Sequence, residues 1–252
     1  VPGGFYVLKA FSQLSDGVTA TATLPVNITS DRADLRMVLA PTSRVPINVR
    51  SEATHTPFPG TFPKEMQPVN IQLMPQETMF ANQTVWASFE GPPENRTFVL
   101  RNVEPGTYKV QFQPNGPWYI DSARCGNVDL LSTSLTVAAG ASLQPFEIVL
   151  RDDFASLKGT VYSEGTPALA RVLVFAEHDL ERSWQVFVAP NGEFVWGQLP
   201  PGEYRILAFD RVDGLEYRNL RAMEKYLSQA QSLRVLPNEQ ATIRLELTKR
   251  GD

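Results

Sequence analysis

Phe194-Val-Trp-Gly-Gln-Leu-Pro-Pro-Gly-Glu-Tyr-Arg-Ile-Leu-Ala-Phe209 decides the fold, because the chain repeats it. The middle third carries Phe98-Val-Leu-Arg-Asn-Val-Glu-Pro-Gly-Thr-Tyr-Lys-Val-Gln-Phe112, with Pro105-Gly106 in the place of Pro201-Gly202. The N-terminus, Pro2-Gly-Gly-Phe-Tyr-Val-Leu-Lys-Ala-Phe11, enters the same pattern part-way. Each copy leads to a second shared passage, a strand, a turn and an alternating strand: Val137–Leu150, Val235–Leu247 and Val26–Leu39. Self-similarity in a fixed order marks repeated structural units and takes precedence over local readings.

The spacing divides the 252 residues into an incomplete unit at 1–41, holding only C-terminal strands, and two full units at 42–152 and 153–252. Two domains of ordinary size are what a chain of this length is expected to form.

Alternation of apolar and polar residues marks a strand with one buried face. Tyr108, Val110 and Phe112 alternate with Lys109, Gln111 and Gln113, and Ile243, Leu245 and Leu247 alternate with Arg244, Glu246 and Thr248. Ala189-Pro-Asn-Gly192 supplies the Asn-Gly chemistry of a tight turn, so a hairpin is expected between Trp184–Val188 and Glu193–Gly197. Seven short strands per unit predict an all-β chain of tandem seven-stranded Greek-key sandwiches. One helix is expected at 219–229, where Leu220, Met223 and Leu227 recur at helical spacing, lying across one end of the last sandwich.

Gly197-Gln-Leu-Pro-Pro-Gly-Glu-Tyr204 and its echo ending in Pro105-Gly106-Thr107-Tyr108 resemble the signature of carboxypeptidase regulatory-like domains, a transthyretin-like or immunoglobulin-like β-sandwich family. The stretch from Trp118 to Leu130 is similar to the segment that follows this signature in large exported bacterial proteins of acidobacterial type. The resemblance implies secretion or display at the cell surface and a non-catalytic role. It brings no active-site residues to transfer.

The residues agree on chemistry. A net charge of −4 with scattered cations gives no basic stripe for nucleic acid. No apolar run is long enough to span a bilayer as a helix. The only histidines, His55 and His178, lie in different units, and neither a nucleophile elbow nor a phosphate loop occurs. Cys125 beside Arg124 reads as a structural thiol. Asp152-Asp153 falls at a unit junction where calcium is conceivable, but calcium takes six to eight oxygens and two adjacent carboxylates read as a solvated linker, so no cofactor is expected. Of the four tryptophans, Trp184 and Trp196 read as packing residues, whereas Trp118, with Tyr119, is the best candidate for an exposed glycan contact. The sequons at Asn27, Asn82 and Asn95 are read as chance occurrences.

Residues 1–41 then carry the functional reading. A partial sandwich exposes apolar surface and strand edges, with Phe5, Val7, Leu35, Met37 and Leu39 as the expected joint. Either upstream strands belong to it, or another subunit completes it by strand addition, which repeated head to tail makes a filament. The expectation is a non-enzymatic, extracellular structural subunit of a bacterial surface fibre or array that self-associates. The alternative is a carbohydrate- or protein-binding module of a larger secreted protein.

Overall fold

The computed structural model describes residues 1–14, 18–30, 35–55, 67–76, 83–92, 96–177 and 179–250. The chain divides into two compact units, Val1–Asp152 and Asp153–Asp252.

The first unit opens with a hairpin of β1 (Gly4–Gln13) and β2 (Thr19–Ile28), to which the two-residue β3 (Ala40–Pro41) adds, in the order β1-β2-β3. There follow β4 (Ser43–Ser51), β5 (Val69–Pro75), β6 (Val85–Glu90), β7 (Thr97–Val103), β8 (Gly106–Pro114), β9 (Tyr119–Cys125), β10 (Val128–Asp129), β11 (Leu135–Val137) and β12 (Phe146–Arg151). These nine strands join in the order β10-β9-β12-β4-β7-β6-β5-β8-β11. Their path folds over one core in which Ile71 and Leu73 of β5 and Tyr108 of β8 meet Phe146, Ile148 and Leu150 of β12. The buried members of that core all come from residues 45–150.

The second unit holds β13 (Ala155–Ser163), β14 (Thr166–Pro167), β15 (Arg171–Ala176), β16 (Asp179–Phe187), β17 (Glu193–Leu199), β18 (Gly202–Phe209), α1 (Leu220–Leu227), β19 (Gln231–Val235) and β20 (Gln240–Glu246). One sheet joins β14, β13, β17 and β20, the other runs β16-β15-β18-β19, and the two enclose a shared core. The chain is thus an all-β assembly of tandem sandwiches with one short helix.

The two sandwiches repeat each other strand for strand. The first and last strands of each, β4 with β12 and β13 with β20, pair in parallel, while β5 with β8 and β15 with β18 pair antiparallel. The sandwiches differ in two places: β6 pairs with β7 whereas β16 and β17 enter different sheets, and the strand of the Pro-Gly-x-Tyr passage is followed by a different insert. In the first sandwich it is the β9–β10 hairpin, which extends the sheet alongside β12. In the second it is α1, capped by the Asn219 side chain, which accepts from the amides of Arg221 and Ala222.

Three expectations need correction. The Ala189–Gly192 turn forms, with Gly192 at φ 81° and its amide donating to the Ala189 carbonyl at 2.9 Å. Its flanking strands nevertheless enter different sheets, β16 beside β15 and β17 beside β13, so the turn crosses the sandwich rather than closing a hairpin. Helix α1 covers the outer face of the β15–β18 sheet, not one end: Met223 and Tyr226 pack on Leu173, Phe175, Leu207 and Phe209. That sheet is buried on both faces, which accounts for its unbroken apolar runs Val172–Phe175 and Ile206–Phe209. Finally, residues 35–39 are not a strand. The final strand of each full unit pairs with that unit's own first strand, and no such partner lies beside residues 35–39 among the described residues.

Candidate functional site

The repeated glycine and tyrosine build one local device three times. Tyr204 Oη donates to the Pro200 carbonyl at 2.5 Å, Tyr108 Oη to Glu104 at 2.9 Å and Tyr6 Oη to Pro2 at 2.7 Å, each four residues back. The glycine two residues before the tyrosine lies against that side chain: a Cβ on Gly4 would touch the Tyr6 ring at 3.6 Å, and one on Gly202 would touch the Tyr204 hydroxyl at 3.5 Å, both ordinary van der Waals contacts. The tyrosine thereby pins the start of its strand to the turn before it.

The same device fixes which strands correspond. Gly106 and Tyr108 of β8 face Val137 and Leu135 of β11, Gly202 and Tyr204 of β18 face Val235 and Leu233 of β19, and Gly4 and Tyr6 of β1 face Ile28 and Val26 of β2. So β1 corresponds to β8 and β18, and β2 to β11 and β19. In the complete sandwiches the Tyr-bearing strand has a second neighbour, β5 or β15, on its other side. Among the described residues, β1 has no strand there.

That open edge borders an apolar sheet. Tyr6, Leu8 and Ala10 share a face with Leu24 and Val26, and Tyr6, Leu8 and Leu24 remain half-exposed. The opposite face carries Phe5, 62% exposed, and Phe11, 83% exposed. Between them Lys9 pairs with Glu104 at 3.0 Å. Of the remaining expected joint residues, Val7 and Met37 are half-buried, and Leu35 and Leu39 are exposed. The sequence reading missed Phe11, although its in-phase spacing from Phe5 along an alternating strand was a usable signal.

The expected glycan contact is not where it was placed. Trp118 and Tyr119 are only 8% and 7% exposed. Trp118 folds onto Gly116, where any Cβ would lie 1.8 Å from the ring, and the chain then enters β9 against β12. The exposed tryptophan is Trp86 on β6, above a cleft of about 320 Å³ lined also by Ser88, Arg101, Asn102 and Glu104. Trp184 and Trp196 pack with ring centroids 5.4 Å apart and planes tilted by 48°, beside the second core.

The titratable groups are engaged structurally. Cys125 is buried and its thiol donates to the Gln144 carbonyl at 3.3 Å; burial pushes its pKa up, against a smaller lowering by backbone hydrogen bonding at Gln144. The Asp152 carboxylate accepts from the backbone amides of Thr54 and His55, both at 2.8 Å, so each of its oxygens holds a structural hydrogen bond. Asp153 is buried like its neighbour, so the pair is not a solvated linker. His55 is exposed, with Nδ1 3.5 Å from Asp152. His178, Asn82 and Asn95 lie outside the described residues. Among the described residues no three His, Cys, Asp or Glu side chains gather as a metal site, and no helix is long and apolar enough to cross a membrane.

No protein-family model and no curated protein matches the chain, so the carboxypeptidase regulatory-like resemblance has no family match behind it. Among solved structures, the chain is similar to a streptococcal ancillary pilin at 12% identity, covering 99% of this chain and 77% of that one with a TM-score of 0.33. It is similar to GBS52, the minor pilin of Streptococcus agalactiae, at 11% identity, 84% and 97% coverage and a TM-score of 0.34. With the Bacillus anthracis TIE protein it shares 12% identity over 97% of its own length and 43% of that chain, at a TM-score of 0.28. Likenesses this distant assign neither family nor function, and what the chain does has to be read from its own residues.

Proposed function

We propose that the chain is a non-catalytic structural subunit of an extracellular bacterial fibre or surface array, joined to further copies through the sheet of residues 1–41. The observation that carries this is the outer edge of β1, which has no strand beside it among the described residues and is flanked by exposed Phe5 and Phe11 and backed by a half-exposed apolar face. An unpaired strand edge beside apolar surface is a template for another strand. In a head-to-tail fibre it accepts an edge strand of the next copy; in a two-fold joint it accepts the same strand of a symmetry mate, closing a pair that a second contact must extend into an array. The Pro-Gly-x-Tyr repeats support an exported, carboxypeptidase regulatory-like ancestry for the sandwiches.

Negative-stain electron microscopy tests the proposal by comparing the chain with a Phe5→Asp/Phe11→Asp double variant, whose changes fall at exposed positions. Assemblies that disappear in the variant are expected; dispersed monomers in both samples refute the reading.

A second reading, glycan binding, has one observation in its favour: Trp86 stands over the cleft containing Arg101, Asn102 and Glu104. An aromatic face beside hydrogen-bonding side chains suits a sugar ring. Glycan binding lost in Trp86→Ala with the fold intact would establish it.

A further inference from the structure

Deepening the assembly reading and resting on it, we infer that the open edge of β1 takes β1 of a second copy, antiparallel, about a two-fold axis through Leu8.

The strand that belongs at this edge must run antiparallel to β1. In the second sandwich the corresponding place is held by β15, whose pairs run from Ala176 opposite Tyr204 to Arg171 opposite Phe209. In the first it is held by β5, from Pro75 opposite Tyr108 to Val69 opposite Pro114. Counting from the shared tyrosine, the receptive stretch of β1 is Tyr6 to Phe11 or Ser12, well inside the observed ten-residue strand. Two copies of one strand pair antiparallel whenever a two-fold axis lies across their edges, so β1 meets the polarity requirement with itself.

Register follows from the side chains. Phe5 and Phe11 each lie three residues from Leu8, on opposite sides of it. With the axis at Leu8, Phe5 of each copy therefore stands opposite Phe11 of the other, and Val7 opposite Lys9. On the second face Leu8 meets its own symmetry mate and Tyr6 meets Ala10. Directly opposed side chains in an antiparallel ladder lie about 4.5–5.5 Å apart, and aromatic pairs are among the favourable ones. Both exposed phenylalanines of β1 in each copy are thereby covered by one contact. The two Lys9 residues come diagonal to one another, about 7–8 Å apart, and each is already paired with its own Glu104 at 3.0 Å. A strand slipped by one residue would put Phe5 on the wrong face of its neighbour.

The test is cysteine crosslinking of the full chain. The sole native cysteine, Cys125, is buried and leaves the background low. Leu8→Cys is expected to form a disulfide-linked dimer with itself under mild oxidation, since opposed residues in a ladder fall within the Cα separation a disulfide allows. Phe5→Cys alone is expected to stay monomeric on a non-reducing gel, and to crosslink when mixed with Phe11→Cys. These last two sites are exposed, so they report even where Leu8→Cys perturbs the sheet. Sedimentation of the unmodified chain should give a dimer that the Phe5→Asp/Phe11→Asp variant lacks. Assemblies in which Phe5→Cys crosslinks to itself, or in which neither pairing crosslinks, overturn the two-fold joint and leave the assembly reading standing. A chain that sediments only as a monomer overturns both.

Discussion

Replacing Tyr204 by Phe removes one oxygen atom and tests whether the repeated tyrosine is a structural pin. Tyr204 is 3% exposed, and its hydroxyl is directed at the Pro200 carbonyl, itself in a buried residue. Loss of the donor leaves that carbonyl desolvated and unpaired, a cost of about 1–3 kcal/mol. For a sandwich of this size each kcal/mol lowers Tm by about 4–8 °C. The same change at Tyr6, whose acceptor Pro2 is exposed, should stay within about 0.5 kcal/mol, because water replaces the lost partner. The effect also has a pH signature. Burial pushes the Tyr204 phenol from 10.0 up to about 12, against a smaller lowering by Arg182. The folded state therefore holds the proton more tightly than the unfolded chain. The resulting stability is complete below pH 10, declines as pH rises towards 12, and amounts to roughly 2–3 kcal/mol. Urea unfolding followed by tryptophan fluorescence suits the measurement, since Trp184 sits 6.0 Å from the Tyr204 ring. Tyr204→Phe should lower stability at neutral pH and flatten its alkaline decline. A variant within about 0.5 kcal/mol of the parent at pH 7, with that decline unchanged, would refute the pinning argument.

Asp152→Ala strips two backbone amides of their acceptor and should cost about 2–4 kcal/mol in urea unfolding, while millimolar calcium leaves the parent's Tm unmoved; a calcium-dependent rise would restore the ion-site reading. Met223→Ala, at a fully buried side chain, should destabilise the second unit by about 2–5 kcal/mol and speed hydrogen exchange in α1, and unchanged exchange would contradict the placement of α1 on the sheet. Gly159→Ala brings a Cβ within 2.5 Å of the Phe194 ring and 2.7 Å of the Ile243 carbonyl and should cost about 1–3 kcal/mol; a neutral outcome would mean that β13 is not pressed between β17 and β20.

Much of the architecture was legible in the chain because its signals are local. Alternation at Tyr108–Phe112 and Ile243–Leu247 reports which side of one strand is wet, and the apolar residues so assigned all pack in or against a core, although Thr248, assigned to the wet side, is buried. The spacing of Leu220, Met223 and Leu227 located a helix to within a turn, and Asn219 supplied its cap. The repeat located equivalent strands without any knowledge of how they pair. What the chain could not disclose were relations between distant segments. Asn191-Gly192 announces a turn, but whether the strands leaving it share a sheet depends on β15 and β13 competing for them, and each took one. Trp118 follows turn residues and reads as exposed; its burial is decided by Gly116 beneath the ring and by β12 beside β9. Residues 35–39 alternate like a final strand, yet a strand requires a hydrogen-bonding partner, and among the described residues they have none. The sequence by itself determined local conformation and the repeat, through side-chain patterning and turn chemistry. Only the tertiary structure decided which edges were satisfied, because hydrogen-bond pairing between strands is a property of chain segments far apart, and among the described residues it left β1 with one edge open.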